Sequence, residues 1–219
     1  MKQLVLDLIP TPLPTLANFV IGQNGEAVAA LKSILDKQAN AGPSAVVYLW
    51  GQPGSGKTHL MQACAHLGCS TAASMSEAGS TSSRCFAIDD VQTLSANEQQ
   101  TLFNLINRQQ AAGGAVFAAG SVAPRDLPMR RDLTSRLASG LVFQLTPLTD
   151  GEKAAALAAH ARGRGFALRE EVIAYLLRHA RRDMASLIGT LDVLDKYSIE
   201  TGREITVPLL REVSQPSLV

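Results

Sequence analysis

The sequence predicts an α/β fold, in which helices sandwich a parallel β-sheet and a small all-helical domain follows. Two observations lead to this prediction. Short apolar runs alternate with stretches of helical periodicity as far as Pro147, a pattern typical of parallel strands buried on both faces. Beyond Pro147 helical periodicity continues, and only a brief stretch at 205–207 has strand character. We therefore expect a sheet domain at residues 16–147 and a helical domain at residues 148–219.

Apolar spacing and helix signals place the elements of the sheet domain in order. The first helix is predicted at 26–40 and ends before Gly42 and Pro43, which disfavour helix. A second helix follows the first strand, and the capping box of Ser95 and Glu98 begins a third, which extends to residue 111. The predicted strands are 45–50, 85–88, 115–119 and 141–145.

The second domain begins with another capping box, formed by Thr149 and Glu152. Two further segments have no predicted helix or strand. Residues 1–15 contain three prolines and are expected to form an extended arm, and the serine-rich residues 70–83 are expected to form a flexible surface loop. The predicted helices of the second domain are 149–161, 169–180 and 184–199.

The composition is that of a globular protein, because 46% of the 219 residues are hydrophobic and only 18% are charged. A net charge of +1 provides no general attraction to nucleic acid or to an anionic membrane. The chain has neither an apolar run of transmembrane length nor a cleavable leader, so we expect a cytoplasmic protein. Cys64, Cys69 and Cys85 lack metal-ligand spacing and are interpreted as unpaired core or surface residues.

A phosphate-binding loop is the strongest motif in the sequence. It follows a predicted buried strand, begins a helix and matches the pattern G-x-x-x-x-G-K-[ST]. In such a loop, backbone N–H groups surround the phosphates, Lys57 reaches the β- and γ-phosphates, and the Thr58 hydroxyl binds Mg²⁺. The alternative is a glycine-rich turn that binds no nucleotide. The residues of the loop are Gly51, Gln52, Pro53, Gly54, Ser55, Gly56, Lys57 and Thr58.

Polar residues follow two of the predicted strands where a magnesium nucleotide would lie. Asp89 and Asp90 come directly after strand 85–88, and we expect Asp89 to act on Mg²⁺ and Asp90 to orient the attacking water. Ser121 follows strand 115–119 and would sense the γ-phosphate. The alternative for the paired acids is a helix cap or a solvated turn.

Four segments resemble the DnaA family of AAA+ ATPases, and the resemblance covers nearly the whole chain. It implies that Val20, Ile21 and Gly22 line an adenine pocket, and that His59 belongs to the nucleotide site. It also implies that Ser121 is sensor 1 and that Arg136 is an arginine finger acting on a neighbouring subunit's nucleotide. The implied cofactors are ADP or ATP with Mg²⁺. The four segments are Asn-Phe-Val-Ile-Gly at 18–22, Gly-Lys-Thr-His-Leu at 56–60, Ile-Asp-Asp-Val-Gln at 88–92 and Ser-Arg-Leu-Ala-Ser-Gly-Leu at 135–141.

Length and the N-terminal arm favour a short regulatory branch of this family. The chain has no room for the DNA-binding domain of DnaA, so we expect no sequence-specific DNA binding. Its arm resembles the peptide with which such regulators bind the DNA polymerase III sliding clamp (beta subunit), so the implied partners are this clamp and DnaA. The alternative for the arm is an added strand of the sheet. The residues that would contact the clamp are Gln3, Leu4, Leu6 and Leu8.

One departure from the family pattern concerns hydrolysis of the protein's own ATP. Ala185 stands where the family places its sensor 2 arginine, although Arg181 and Arg182 lie just upstream. We therefore expect nucleotide binding with weak intrinsic turnover. Two alternatives stay open: a helicase loader that hydrolyses its own ATP, and an adaptor that the nucleotide only stabilises. The resident nucleotide and self-association are also left open.

Overall fold

A computed structural model describes residues 13–39, 43–72, 83–180 and 183–214. Strands and helices alternate in the first part of the chain, and four consecutive helices follow. The strands are β1 (Ala45–Trp50), β2 (Ser70–Thr71), β3 (Cys85–Ile88), β4 (Ala115–Gly120) and β5 (Leu141–Gln144). The helices are α1 (Gly25–Ala39), α2 (Lys57–His66), α3 (Ala96–Ala112), α4 (Arg131–Ala138), α5 (Asp150–Gly163), α6 (Glu170–His179), α7 (Met184–Thr201) and α8 (Val207–Ser214).

The five strands form one parallel sheet in the order β2-β3-β4-β1-β5. Strand β1 lies between β4 and β5, and its side chains alternate between the two faces. Val47 and Leu49 join the apolar core on one face, and Val46 and Tyr48 join the core on the other. Burial on both faces explains why these strands are nearly continuous apolar runs.

Helices cover both faces of the sheet. Residues of α1 and α2, such as Leu31 and Leu60, are fully buried against one face, and residues of α3 and α4, such as Leu105 and Leu133, against the other. The predicted α/β sandwich is confirmed, and the capping boxes at Ser95 and Thr149 begin α3 and α5 as predicted.

Helices α5 to α8 have an apolar core of their own, and the chain divides into two compact units at Pro147 and Leu148. The suggested strand at 205–207 is wrong, because Val207 begins helix α8. Ile205 is buried in the helical core and Leu210 of α8 packs beside it. A short apolar stretch fits a buried strand and a buried helix equally well, and packing against the other helices decides between them.

Two interpretations of the region between α2 and β3 also need correction. Ser70 and Thr71 pair with β3 as a short edge strand, so the serine-rich segment does not begin as a loop. Cys69 and Cys85 form a disulfide, and only Cys64 is a free buried thiol. Pairing of β2 with β3 brings residues 69 and 85 together, and sequence spacing carried no sign of it.

Several sequence-based expectations lie outside the described residues. These include the clamp-contacting residues of the arm and the arginines that precede α7. In the part of the chain that the structure describes, no helix is long and apolar enough to cross a membrane. The undescribed site residues are Gln3, Leu4, Leu6, Leu8, Arg181 and Arg182.

Candidate nucleotide site

The phosphate-binding loop connects the end of β1 to the start of α2, and two of its glycines have a specific structural reason. At Gly51, a Cβ atom would lie 2.3 Å from the carbonyl oxygen of Leu145. Gly56 caps α2 in the left-handed region, with φ 95°, and a Cβ there would lie 2.5 Å from the ring of Phe19. Only glycine avoids both the close contact and the backbone strain.

Lys57 begins α2 and folds back over the loop. Its Nζ donates hydrogen bonds to the carbonyl oxygens of Gly51 (2.8 Å) and Gln52 (3.1 Å). Partial burial lowers the pKa of Lys57, and the charges of Asp89 and Asp90 act in the opposite direction. The ammonium group is thus held at the loop and feels the charges of both acids, and it would neutralise the phosphates of a nucleotide bound there.

The two acids occupy different local environments at the end of β3. Asp89 Oδ1 accepts a hydrogen bond from the backbone N–H of Asp90 (2.9 Å). Asp90 has φ 47° and ψ 47°, a left-handed conformation that among the described residues is otherwise adopted only by glycines. Left-handed backbone at a non-glycine residue costs about 1–2 kcal/mol. The Asp90 carboxylate is exposed.

Gln92 joins Asp90 to Ser121, and sequence reasoning assigned it no role. Its Nε2 donates to Asp90 Oδ1 (3.0 Å), and its Oε1 accepts from the backbone N–H of Ser121 (3.1 Å). The ends of β3 and β4 are thereby held together by one side chain. Gln92 belongs to the quoted Ile-Asp-Asp-Val-Gln segment, but a glutamine in a sequence carries no sign of the two groups it will bridge.

Tyr48 supports the same strand end from inside the sheet. Its buried hydroxyl donates to the carbonyl oxygen of Val122 (2.8 Å), and burial raises its pKa. A Cβ atom on Gly120 would lie 2.1 Å from this hydroxyl. The small residue before Ser121 is therefore required by a tyrosine on the neighbouring strand β1, which sequence spacing alone does not reveal.

The residues at the loop fit a nucleotide with its magnesium. A Cβ on Gly54 would meet nothing within 4 Å, so this side of the loop is open, whereas the buried Ser55 Oγ has no hydrogen-bond partner. Thr58 is exposed in the first turn of α2, and Asp89 is half-buried at the end of β3. Among the described residues, no three His, Cys, Asp or Glu side chains cluster as metal ligands. Magnesium at Thr58 and Asp89 would therefore need phosphate oxygens as further ligands.

The expected adenine-pocket residues precede α1. Val20 is half-buried, Ile21 is 47% exposed and Gly22 has φ 51°. Asn24 fixes this segment to the end of the sheet: its Nδ2 donates to the carbonyl oxygen of Thr146 (3.0 Å), and its Oδ1 accepts from the N–H of the same residue (2.8 Å). An exposed isoleucine beside a fixed turn offers an apolar contact for a planar base.

Arg136 is an exposed residue in the last turn of α4, which leads into the amino end of β5. Its guanidinium is 5.9 Å from the centroid of the Phe103 ring, and Nη1 donates to Gln110 Oε1 (3.4 Å). Gln110 is close to the start of β4, and Gly140, just after α4, contacts Val46 at the start of β1. The loop instead follows the carboxyl end of β1. A strand of six residues is about 20 Å long, so the amino and carboxyl ends of β1 are about that far apart.

In the helical unit, Ala185 is an exposed residue in the first turn of α7. Its methyl group offers no hydrogen bond or charge to a phosphate. The N-terminal end of α7 is capped by Asp183, whose carboxylate accepts from the N–H of Ser186 (2.8 Å).

Comparisons with known proteins match the two units separately. Residues 12–86 match the family model of the bacterial DnaA ATPase domain, and residues 150–213 match that of the Hda lid domain. The fold is similar to domain III of Thermotoga maritima DnaA, with a TM-score of 0.70, 23% identity and coverage of 93% of this chain and 96% of that one.

Two further structures show the same fold. The AMPPCP-bound DnaA of Aquifex aeolicus gives a TM-score of 0.67 at 24% identity, covering 86% of this chain and 67% of that chain. The Thermotoga maritima RuvB Holliday junction branch migration motor gives 0.66 at 16% identity, covering 93% and 72%. These similarities identify a AAA+ fold with a helical lid.

Proposed function

We propose that this chain, whose two units match the models of the bacterial DnaA ATPase domain and the Hda lid domain, is a nucleotide-bound regulator that inactivates DnaA. In this proposal the N-terminal arm tethers the protein to the DNA-loaded sliding clamp. Arg136 then reaches ATP held by DnaA and promotes its hydrolysis. The protein acts in the cytoplasm, where replication begins.

The observation that carries this proposal is the position of Arg136. Its guanidinium is exposed, has no acidic partner within the described residues and lies in the turn that leads to the amino end of β5, whereas the protein's own loop follows the carboxyl end of β1. Such a group is too far from its own nucleotide site to act there. It is available to a nucleotide on another protein, as an arginine finger given in trans requires.

The chemistry asked of Arg136 is electrostatic. As the γ-phosphoryl group moves from ADP to water, negative charge spreads over its oxygens, and a guanidinium stabilises that charge with directional hydrogen bonds. In other P-loop systems an arginine supplied in trans raises the rate by about 10³–10⁵. Release from Phe103 and Gln110 costs little, because the guanidinium is 5.9 Å from the ring and the hydrogen bond is a long, exposed one of 3.4 Å.

The protein's own nucleotide has a supporting role in this proposal. Residues 51–58 would hold the phosphates of ADP or ATP, Thr58 and Asp89 would hold Mg²⁺, and residues 20–22 with His59 would surround the adenosine. A bound nucleotide supplies phosphate charges that Lys57 neutralises and so stabilises the folded unit. Ala185 at the expected sensor 2 position offers no charge to a phosphate, which favours nucleotide binding without rapid hydrolysis.

The test is the rate at which DnaA-bound ATP is hydrolysed in the presence of DNA-loaded clamp. We expect the wild type to stimulate hydrolysis and Arg136→Ala to lose most of the stimulation. Arg131→Ala is the matched control, because Arg131 is an exposed arginine of the same helix. A Gln3→Ala, Leu6→Ala double variant should lose both clamp binding and clamp-dependent stimulation.

The controls separate clamp binding from stimulation of ATP hydrolysis. Arg136→Ala should bind the clamp and ADP as the wild type does, since only the transition state of the partner's reaction is affected. Full stimulation by Arg136→Ala would contradict the assignment of the finger. Wild-type protein that binds the clamp yet stimulates no hydrolysis would contradict the regulator as a whole.

The second candidate is a AAA+ ATPase, such as a helicase loader, that hydrolyses its own ATP. The proximity of Asp89 and Asp90 to Lys57 favours it, because an intact hydrolytic arrangement needs these charges together. Turnover by the protein alone, lost in Asp90→Asn, would support this candidate. Retention of that turnover in Arg136→Ala would distinguish it from the regulator.

A further inference from the structure

Residues 14–19, here called the strap, lie along helix α2 just before the expected adenine pocket. A pair of reciprocal hydrogen bonds shapes the strap: the N–H of Thr15 donates to Asn18 Oδ1 (2.8 Å), and the N–H of Asn18 donates to Thr15 Oγ1 (3.1 Å). Four contacts then join the strap to α2 and to the core beneath it. These contacts were not foreseen from the sequence.

Two contacts are hydrogen bonds from histidines of α2. His59 Nε2 lies 2.9 Å from the carbonyl oxygen of Thr15, and His66 Nδ1 lies 2.8 Å from that of Pro14. A carbonyl oxygen only accepts, so each of these ring nitrogens carries a proton and donates. Residues seven apart share one face of a helix, two turns from each other. Two imidazoles of α2 therefore converge on a single dipeptide of the strap.

The other two contacts are apolar. Leu16 and Phe19 pack against the core cluster that contains Leu60 of α2. The Phe19 ring is also 5.4 Å from the His59 ring and occupies the space where a side chain at Gly56 would lie. Phe19 thus touches the glycine that caps α2 within the phosphate-binding loop. A displaced strap would free both this glycine and residues 20–22.

We infer that the strap is a positioning element for the nucleotide site, and that His66 and Phe19 are its positioning residues. The strap contains the last two residues of the expected N-terminal arm and leads directly into residues 20–22, and its contacts with α2 link it to the loop. Nucleotide binding and attachment of the strap to α2 therefore favour each other. A partner that binds the arm and displaces the strap would lower the affinity for nucleotide. Such coupling is reciprocal by thermodynamic necessity. This inference rests on the nucleotide binding in the proposed function and on no part of its action on DnaA.

The test uses His66, which is nine residues from Lys57 and touches no part of the loop. We expect His66→Ala to weaken ADP binding about 2- to 10-fold, the usual effect of one lost hydrogen bond. His66→Asn should bind ADP within about twofold of the wild type, because the asparagine amide N–H occupies nearly the place of the Nδ1–H. Gln62→Ala is the matched control, since Gln62 is an exposed residue of α2.

The measurement is ADP titration in magnesium by calorimetry, on full-length variants whose thermal unfolding is compared without nucleotide. Hydrogen exchange of residues 14–22 with and without ADP is the second readout. We expect ADP to slow exchange there in the wild type and less so in His66→Ala. Unchanged ADP affinity together with unchanged exchange in His66→Ala would overturn the inference. Equal weakening in His66→Ala and His66→Asn would also overturn it. Absence of ADP binding in the wild type would instead contradict the proposed nucleotide site.

Discussion

Asp90 combines an unfavourable backbone conformation with a candidate catalytic carboxylate. Its φ of 47° is sustained by hydrogen bonds around it: Gln92 holds the carboxylate, and the Thr93 hydroxyl and N–H both donate to the Asp90 carbonyl oxygen. Strained non-glycine residues of this kind concentrate at functional sites. Of the two acids, Asp90 is therefore the one whose conformation the surrounding hydrogen bonds maintain.

Asparagine and valine at position 90 should separate charge from backbone strain. Asn tolerates left-handed backbone as Asp does, whereas a β-branched residue does not. We expect Asp90→Val to lower the free energy of unfolding by about 1–2 kcal/mol more than Asp90→Asn. Urea unfolding of both variants measures the difference. Equal stability would mean that position 90 relaxes to an ordinary conformation.

Gly120 and Tyr48 form a pair whose effects should be coupled. Gly120→Ala places a methyl group against the buried Tyr48 hydroxyl, and we expect a loss of about 1–3 kcal/mol, typical of overpacking. Tyr48→Phe removes the hydroxyl and should cost about 1 kcal/mol for the lost bond to Val122. The double variant should be more stable than the sum of the two losses predicts. Additive losses in a double-mutant cycle would contradict the steric explanation.

At the scale of elements, the capping box of α5 gives a pH dependence with a definite sign. Hydrogen bonds from the Thr149 N–H and hydroxyl lower the pKa of Glu152 below its ordinary value of 4.5. The carboxylate therefore stabilises the folded state above that value, and this stabilisation is lost as the pH falls through the lowered pKa.

Glu152→Gln should remove this dependence. We expect the variant to be less stable than the wild type near neutral pH, and the difference to shrink as the pH falls below about 4.5. Urea unfolding across this range, followed by a probe in the helical unit, measures it. Glu170→Gln is the control, because Glu170 lies in the first turn of α6 without a capping box. A pH-independent difference would show that the cap does not depend on the charge.

The disulfide at the edge of the sheet gives a second prediction at this scale. It joins residues 16 apart and restricts the unfolded chain around β2 and β3. We expect a Cys69→Ser, Cys85→Ser variant to be about 2–4 kcal/mol less stable than the oxidised wild type, and similar to the wild type with reductant. Thiol alkylation with mass spectrometry establishes which state is present. Lower stability of the variant than of the reduced wild type would indicate a packing role for the sulfurs.

At the scale of the whole molecule, two units with separate apolar cores should respond unequally to nucleotide. ADP at about 100 times its Kd should stabilise the unit that contains the loop by about 2.7 kcal/mol. Lys57→Ala should lose that stabilisation, while Lys196→Ala in α7 should retain it. Calorimetry of the two unfolding transitions with and without ADP tests this. An equal gain in Lys57→Ala would place the nucleotide elsewhere.

The sequence by itself determined the features that depend on local pattern. Apolar runs buried on both faces, two capping boxes and the glycines of residues 51–58 each act through neighbouring residues, so the α/β sandwich, the helical unit and a tight turn between β1 and α2 were predictable. The short strand β2 and the helix at 207–214 were not, because two or three residues of pattern do not distinguish strand, helix and loop.

Only the tertiary structure decided which distant groups meet. The link from Gln92 to Ser121, the hydroxyl of Tyr48 beneath Gly120 and the strap on α2 each join residues 29 or more apart, and the disulfide depends on strand order. Parallel strands bring the ends of separated segments to one edge of a sheet, and the side chains that touch there follow from packing. Sequence spacing carries no record of those contacts.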